Sequence, residues 1–62
     1  RGFDADELIA TLPEQQEAAI RFRIYEEATF EEIAARLETS PENARQLVSR
    51  GMKRLRVILG RS

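Results

Sequence analysis

The residues best suited to chemistry lie together near the C-terminus, in "SPENARQLVSRGMKRLR", from Ser40 to Arg56. Within it, Arg45, Gln46, Ser49, Arg50 and Lys53 offer guanidinium, amide, hydroxyl and ammonium groups. These are the groups that recognise DNA. An arginine fork fits the O6 and N7 acceptors of guanine, a carboxamide fits N6 and N7 of adenine, and a serine hydroxyl serves either sense. Lysine and outlying arginines neutralise phosphate without reading sequence. The stretch holds a single acid, Glu42, and no acid follows it.

Other chemistries have little to work with. The chain lacks cysteine and histidine, which removes disulfides, thiolate metal sites, the commonest metal ligand and the commonest general base. Adjacent carboxylates such as Glu26–Glu27 and Glu31–Glu32 are candidate pairs, but neighbours on a helix point about 100° apart, too divergent to share a substrate. No phosphate loop or nucleophile motif is present. We expect no enzyme, no cofactor and no metal.

Sixty-two residues make one small domain, which we take as 1–62, and a core of that size stabilises it only marginally. The chain starts at Arg1 rather than methionine, so the expectation is a C-terminal fragment of a longer protein. No apolar run approaches the ~20 residues of a membrane span, and no signal-peptide pattern is present, so we expect a cytoplasmic protein without membrane contact. The net charge of −1 conceals an asymmetry. Residues 1–42 hold eleven acids against four arginines, a net of −7, while residues 43–62 hold six cations and no acid, a net of +6. Such a division suits a polyanionic partner for the basic part. The favourable placement of cations at a helix C-terminus is the competing explanation, but it fades beyond the last turn and does not reach Arg45 or Arg50.

The elements that must position these residues all read as helices, in an all-α four-helix domain with no strands and hence no wing. A short first helix spans about Asp4–Thr11, with Asp4 as cap, Asp6 and Glu7 in its first turn, and Leu8, Ile9 and Leu12 as its apolar side. A second starts near Pro13 and ends near Glu26–Glu27, with Ala18, Ala19, Phe22 and Tyr25 at helical spacing and Ile20 and Ile24 widening the stripe. No glycine is available to cap its end, so fraying is expected there. The third opens on "TFEE", a capping box from Thr29 to Glu32, with Phe30, Ile33, Ala34 and Leu37 inward. Ser40 as cap and Pro41 as first residue open the fourth, which can run to Leu59 with Gly60 as terminator. The three-residue link between the last two makes a helix-turn-helix candidate, although the pattern alone equally suits a plain helical hairpin.

Advancing about 100° per residue from Ala44 separates the fourth helix into two sides. Ala44, Val48, Leu55 and Leu59 form the centre of the apolar side, completed by Leu47, Gly51, Met52 and Ile58. Gln46, Ser49, Arg50 and Lys53 gather around the opposite pole, flanked by Arg45 and Arg56. One side is core; the other presents DNA-reading chemistry where a recognition helix would enter the major groove. Val57 also falls on the polar side, where it suits a protein contact.

Taken together, "LPEQQ", "FEEIAARL" and "SPENARQLVSRGMKRLR", in that order and spacing, resemble region 4 of bacterial sigma-70 family sigma factors, especially the extracytoplasmic-function class. The resemblance covers about Leu12 to Leu59. It implies a helix-turn-helix that binds the −35 promoter element, docks on the β flap of RNA polymerase and is covered by an anti-sigma factor. It also implies that Arg45, Gln46, Ser49 and Arg50 read bases, and that Arg23, Phe30, Pro41, Glu42 and Asn43 meet the DNA backbone, with Lys53 as a further phosphate contact. The isolated domain is expected to be a monomer. Family members commonly carry glycine where this chain has Glu27 and Glu38, arginine at Leu47, a larger residue at Ser49 and alanine at Gly51. The alternative function is a decoy that binds an anti-sigma factor and never touches DNA.

Overall fold

Three of the four helices begin where a side chain satisfies a backbone N–H group that has no partner inside the helix. The computed structural model describes residues 4–60; Arg1 and Arg61, counted in the charge halves above, lie outside them. Asp4 Oδ1 accepts from Asp6 N–H at 3.0 Å and opens α1 (Ala5–Ala10). Pro13 stands just before α2 (Glu14–Tyr25) as its cap rather than as its first residue, its carbonyl accepting from Glu17 N–H at 2.8 Å. The expected capping box is fully formed at α3 (Phe30–Leu37): Glu32 N–H donates to Thr29 Oγ1 at 3.1 Å and Thr29 N–H to Glu32 Oε1 at 2.8 Å. Ser40 Oγ accepts from Asn43 N–H at 3.1 Å and Pro41 is the first residue of α4 (Pro41–Gly60), as expected.

The helix ends show how the missing glycines are managed. Glu38 takes the left-handed conformation, φ 57° and ψ 50°, and with Thr39 it closes the last turn of α3. Its N–H donates to Ala35 O at 3.4 Å, and the Thr39 N–H donates to Ala34 O at 2.9 Å. This is the closure a glycine ordinarily permits. Glu27 is likewise left-handed, at φ 53°. The end of α2 is tied down rather than frayed: Glu26 and Ala28 N–H both reach Phe22 O, at 3.2 and 3.1 Å, and Ala28 is buried. Both glutamates therefore hold the left-handed conformation that glycine ordinarily supplies at a helix end.

α4 is the spine, with α2 and α3 packed along it and α1 resting on α2. Its 20 residues span about 30 Å and set the long dimension of a 36 × 18 × 16 Å molecule. One core cluster gathers Ala19, Ala28, Ile33, Ala34 and Ala44, with Phe22, Phe30, Leu37, Leu47 and Val48 half-buried around it. A second joins Ile9, Leu12 and Ile20, with Val48 and Leu55 against it. Val48 touches both and ties α4 to each. The small residues Ala34, Ala44 and Gly51 let the helices cross closely; a Cβ on Gly51 would stand 2.8 Å from Ile20 Cγ1. Leu59 and Met52, on the apolar side of the wheel, remain 47% and 37% exposed, as do Ile24 and Tyr25 of α2 at 45% and 53%. α1 is too short to cover that end of α4 and α2.

Candidate nucleic-acid interface

The capped start of α4 and the burial of Ala44 fix the rotation of this helix, and that rotation turns Arg45, Gln46, Ser49, Arg50 and Lys53 outward. All five are exposed. Among the described residues none of these cations is in an ion pair: the acids that do pair engage Arg21 and Arg36 instead. Arg21 bridges Asp6 at 2.7 Å and Glu17 at 3.1 Å, and Arg36 meets Glu26 at 3.3 Å. These α4 cations are thus left without carboxylate partners, while Arg21 and Arg36 are paired.

Leu47, where an arginine would add a DNA contact, turns inward and packs against the first core cluster. At the helix start, Pro41 and Glu42 are exposed, and Asn43 is half-buried. Asn43 is already occupied: its N–H serves Ser40 Oγ and its Nδ2 donates to Thr39 Oγ1 at 2.9 Å, bracing the turn. The Ala44 N–H is bonded to Ser40 O. Proline has no N–H, so only the Glu42 N–H of this first turn has no partner among the described residues and can face a phosphate.

Three residues that stand apart in the sequence meet in space. Phe30, first residue of α3, carries the guanidinium of Arg23 from α2 at 4.6 Å from its ring centroid and that of Arg45 from α4 at 5.9 Å. Arg23 is further held by Ala28 O at 2.9 Å. Sequence reasoning named all three but not their convergence, because no periodicity within one helix reports on it. At the far end of the basic face, Arg50 and Lys53 share a groove of about 470 Å³ with Gln16, Arg54, Val57 and Ile58. Sequence reasoning missed Gln16, whose Oε1 is buried there without a donor. Val57 is 57% exposed and lines that groove beside Arg50, Lys53 and Arg54. No cluster of three or more acidic, histidine or cysteine side chains that could hold a metal occurs among the described residues, and no helix there is long and apolar enough to cross a membrane.

Two helices joined by a three-residue turn, the second presenting exposed arginine, glutamine, serine and lysine from a buried alanine backing, define a helix-turn-helix DNA-binding domain. The family model for region 4 of sigma-70 matches residues 3–55. The chain belongs to that family, whose region 4 binds the −35 promoter element in transcription initiation. No curated protein and no solved structure matches the chain.

Proposed function

We propose that this chain recognises −35 promoter DNA through α4, as region 4 of an extracytoplasmic-function sigma factor. In that role Arg45, Gln46, Ser49 and Arg50 read base edges in the major groove, and Arg23, Phe30, Pro41, Asn43 and Lys53 set the register on the backbone. Glu42 takes part through its main-chain N–H, with its carboxylate turned from the phosphate. The same domain docks on the β flap of RNA polymerase. The groove lined by Ala5, Leu8, Ile9, Ile24, Met52 and Leu55, with Arg56 at the border of the basic face, supports that docking, since its lining is mostly apolar. An anti-sigma factor is the expected antagonist.

The observation that carries this reading is the row of exposed α4 cations without carboxylate partners among the described residues. A decoy that binds only an anti-sigma factor has no use for uncancelled arginines arranged on a groove-sized helix. The test is selection of duplexes from a randomised pool, followed by fluorescence anisotropy with the selected and a scrambled duplex. Arg50→Ala is expected to cost about 1–3 kcal/mol on the selected duplex and to relax preference at one base position. A chain that binds neither duplex at low salt would sink promoter recognition and advance the decoy.

A further inference from the structure

We propose that Phe30 is a positioning residue for DNA recognition, its ring presetting the guanidiniums of Arg23 and Arg45 so that the two act on DNA as a coupled pair. This rests on the promoter-binding reading above and adds a cause for the readiness of its arginines.

Two cations repel, and long arginine stems spend their freedom elsewhere unless something holds them. Here both guanidiniums lie over one aromatic ring, at 4.6 and 5.9 Å from its centroid. The electron-rich face of the ring attracts each cation and offsets part of their repulsion. The ring itself is firmly seated. Phe30 follows the Thr29 capping box directly, and its side chain packs against the first core cluster. Arg23 is doubly tethered, by the ring and by Ala28 O at 2.9 Å.

The other cation–ring pair among the described residues marks the difference. Arg36 lies 4.8 Å from the Phe22 centroid, and its guanidinium also meets Glu26. That arrangement consumes the arginine in joining α3 to α2. Over Phe30 no carboxylate joins either arginine among the described residues, so their remaining N–H donors stay available. Arg45 belongs to the recognition helix and Arg23 to α2, so the ring couples a groove contact to a contact from a second helix. Holding the side chains before DNA arrives removes part of the rotamer entropy lost on binding. A face-on contact at an exposed site predicts an effect of about threefold to tenfold in Kd when both arginines lose their platform.

Three variants and two readouts test this: Phe30→Leu, which keeps an apolar side chain but no ring, Phe30→Tyr, which keeps the ring, and Arg45→Ala. In the free protein, the δ protons of Arg23 and Arg45 are expected to show upfield ring-current shifts in NMR spectra of the parent and of Phe30→Tyr, and to lose them in Phe30→Leu. On the selected duplex, Phe30→Leu is expected to weaken binding about threefold to tenfold. Arg45→Ala should cost less in the Phe30→Leu background than in the parent, because the preset geometry is already gone. A parent spectrum without the shifts overturns the proposal. So does a Phe30→Leu variant that melts cooperatively and binds as the parent does, or one whose effect simply adds to that of Arg45→Ala. Should Phe30→Leu fail to fold, Phe30→Met replaces it, and the ring-current measurement on the parent still decides. If Arg45→Ala alone leaves affinity and base preference unchanged, promoter reading by Arg45 fails and Phe30 loses its role in recognition, whatever the spectra show.

Discussion

At the scale of single residues, the molecule places side chains where the backbone or the packing would favour fewer atoms, and the reverse. Glu38 holds φ 57° in the turn between α3 and α4, a conformation that costs an L-residue about 1–2 kcal/mol and glycine almost nothing. Glu38→Gly removes that strain but adds freedom to the unfolded chain, so a net gain of about 0.5–1 kcal/mol is expected in urea denaturation. Glu38→Gln, which keeps the strain and removes the charge, should gain much less; equal gains in both would mean that charge rather than backbone strain was relieved. Gly51 is the opposite case. Alanine there would favour the helix by about 1 kcal/mol. Yet its Cβ would lie 2.8 Å from Cγ1 and 3.1 Å from Cδ1 of Ile20, a side chain with no exposure and no room to retreat. Overpacking of this kind costs about 1–3 kcal/mol. Gly51→Ala is therefore expected to destabilise the domain, and a higher melting temperature would show that Ile20 can move.

At the scale of elements, α1 depends most on its neighbours, because six residues do not make a helix on their own. Ile9 anchors it from below and Asp6 from the side, accepting from Arg21 at 2.7 Å and from the Tyr25 hydroxyl at 3.0 Å. The hydrogen bond from Arg21 first, then that from Tyr25, holds the Asp6 carboxyl below the usual carboxylate range. A carboxyl whose folded pKa is depressed stabilises the fold above its unfolded value, near 4, and that contribution vanishes as pH falls through the folded pKa. Asp6→Asn should accordingly lower the melting temperature at pH 7, and the gap between parent and variant should narrow and close as pH falls through the lowered folded pKa of Asp6. A gap that stays constant with pH would assign the loss to packing. The starts of these helices were legible because caps are local: Asp4, Thr29 with Glu32, and Ser40 with Pro41 each act within four residues. The positions where α2 and α3 end were legible too, but the left-handed turns there were not, since residue type at Glu27 and Glu38 speaks against the conformation that the tertiary fold imposes. The wheel for α4 predicted Ala44 and Val48 inward and the basic face outward, but it had no knowledge of how little of Met52 and Leu59 a six-residue α1 would cover. Gly51 fell on the apolar side of that wheel; that Ile20 approaches it closely was not legible.

At the scale of the whole molecule, the separation of charge read from the sequence becomes a separation in space. The acids on α1 and α2 are partly spent on Arg21, and Glu26 at the end of α2 on Arg36 of α3, whereas Arg45, Arg50, Lys53, Arg54 and Arg56 have no ion pair among the described residues. A duplex meeting α4 therefore meets a positive strip backed by an acidic body, which limits adhesion to nucleic acid in other orientations. Each phosphate neutralised contributes about −0.9 to the slope of log K against log salt. With roughly three or four of these cations engaged, the expected slope is about −3 to −4. Lys53 offers a point charge rather than a planar fork, which suits it to phosphate. Lys53→Ala should therefore weaken the selected and the scrambled duplex alike and reduce the slope by about one. Its place beside Arg54 and Val57 in the groove at the end of the basic face also makes Val57→Glu a poor probe of protein docking, since a new carboxylate there would meet Arg50, Lys53 or Arg54 and disturb DNA binding as well. Anisotropy titrations from about 50 to 200 mM salt measure the slope directly. A slope near zero for the parent, or a Lys53→Ala effect confined to the selected duplex, would mean that this strip does not meet the phosphates as a row and that Lys53 reads sequence instead.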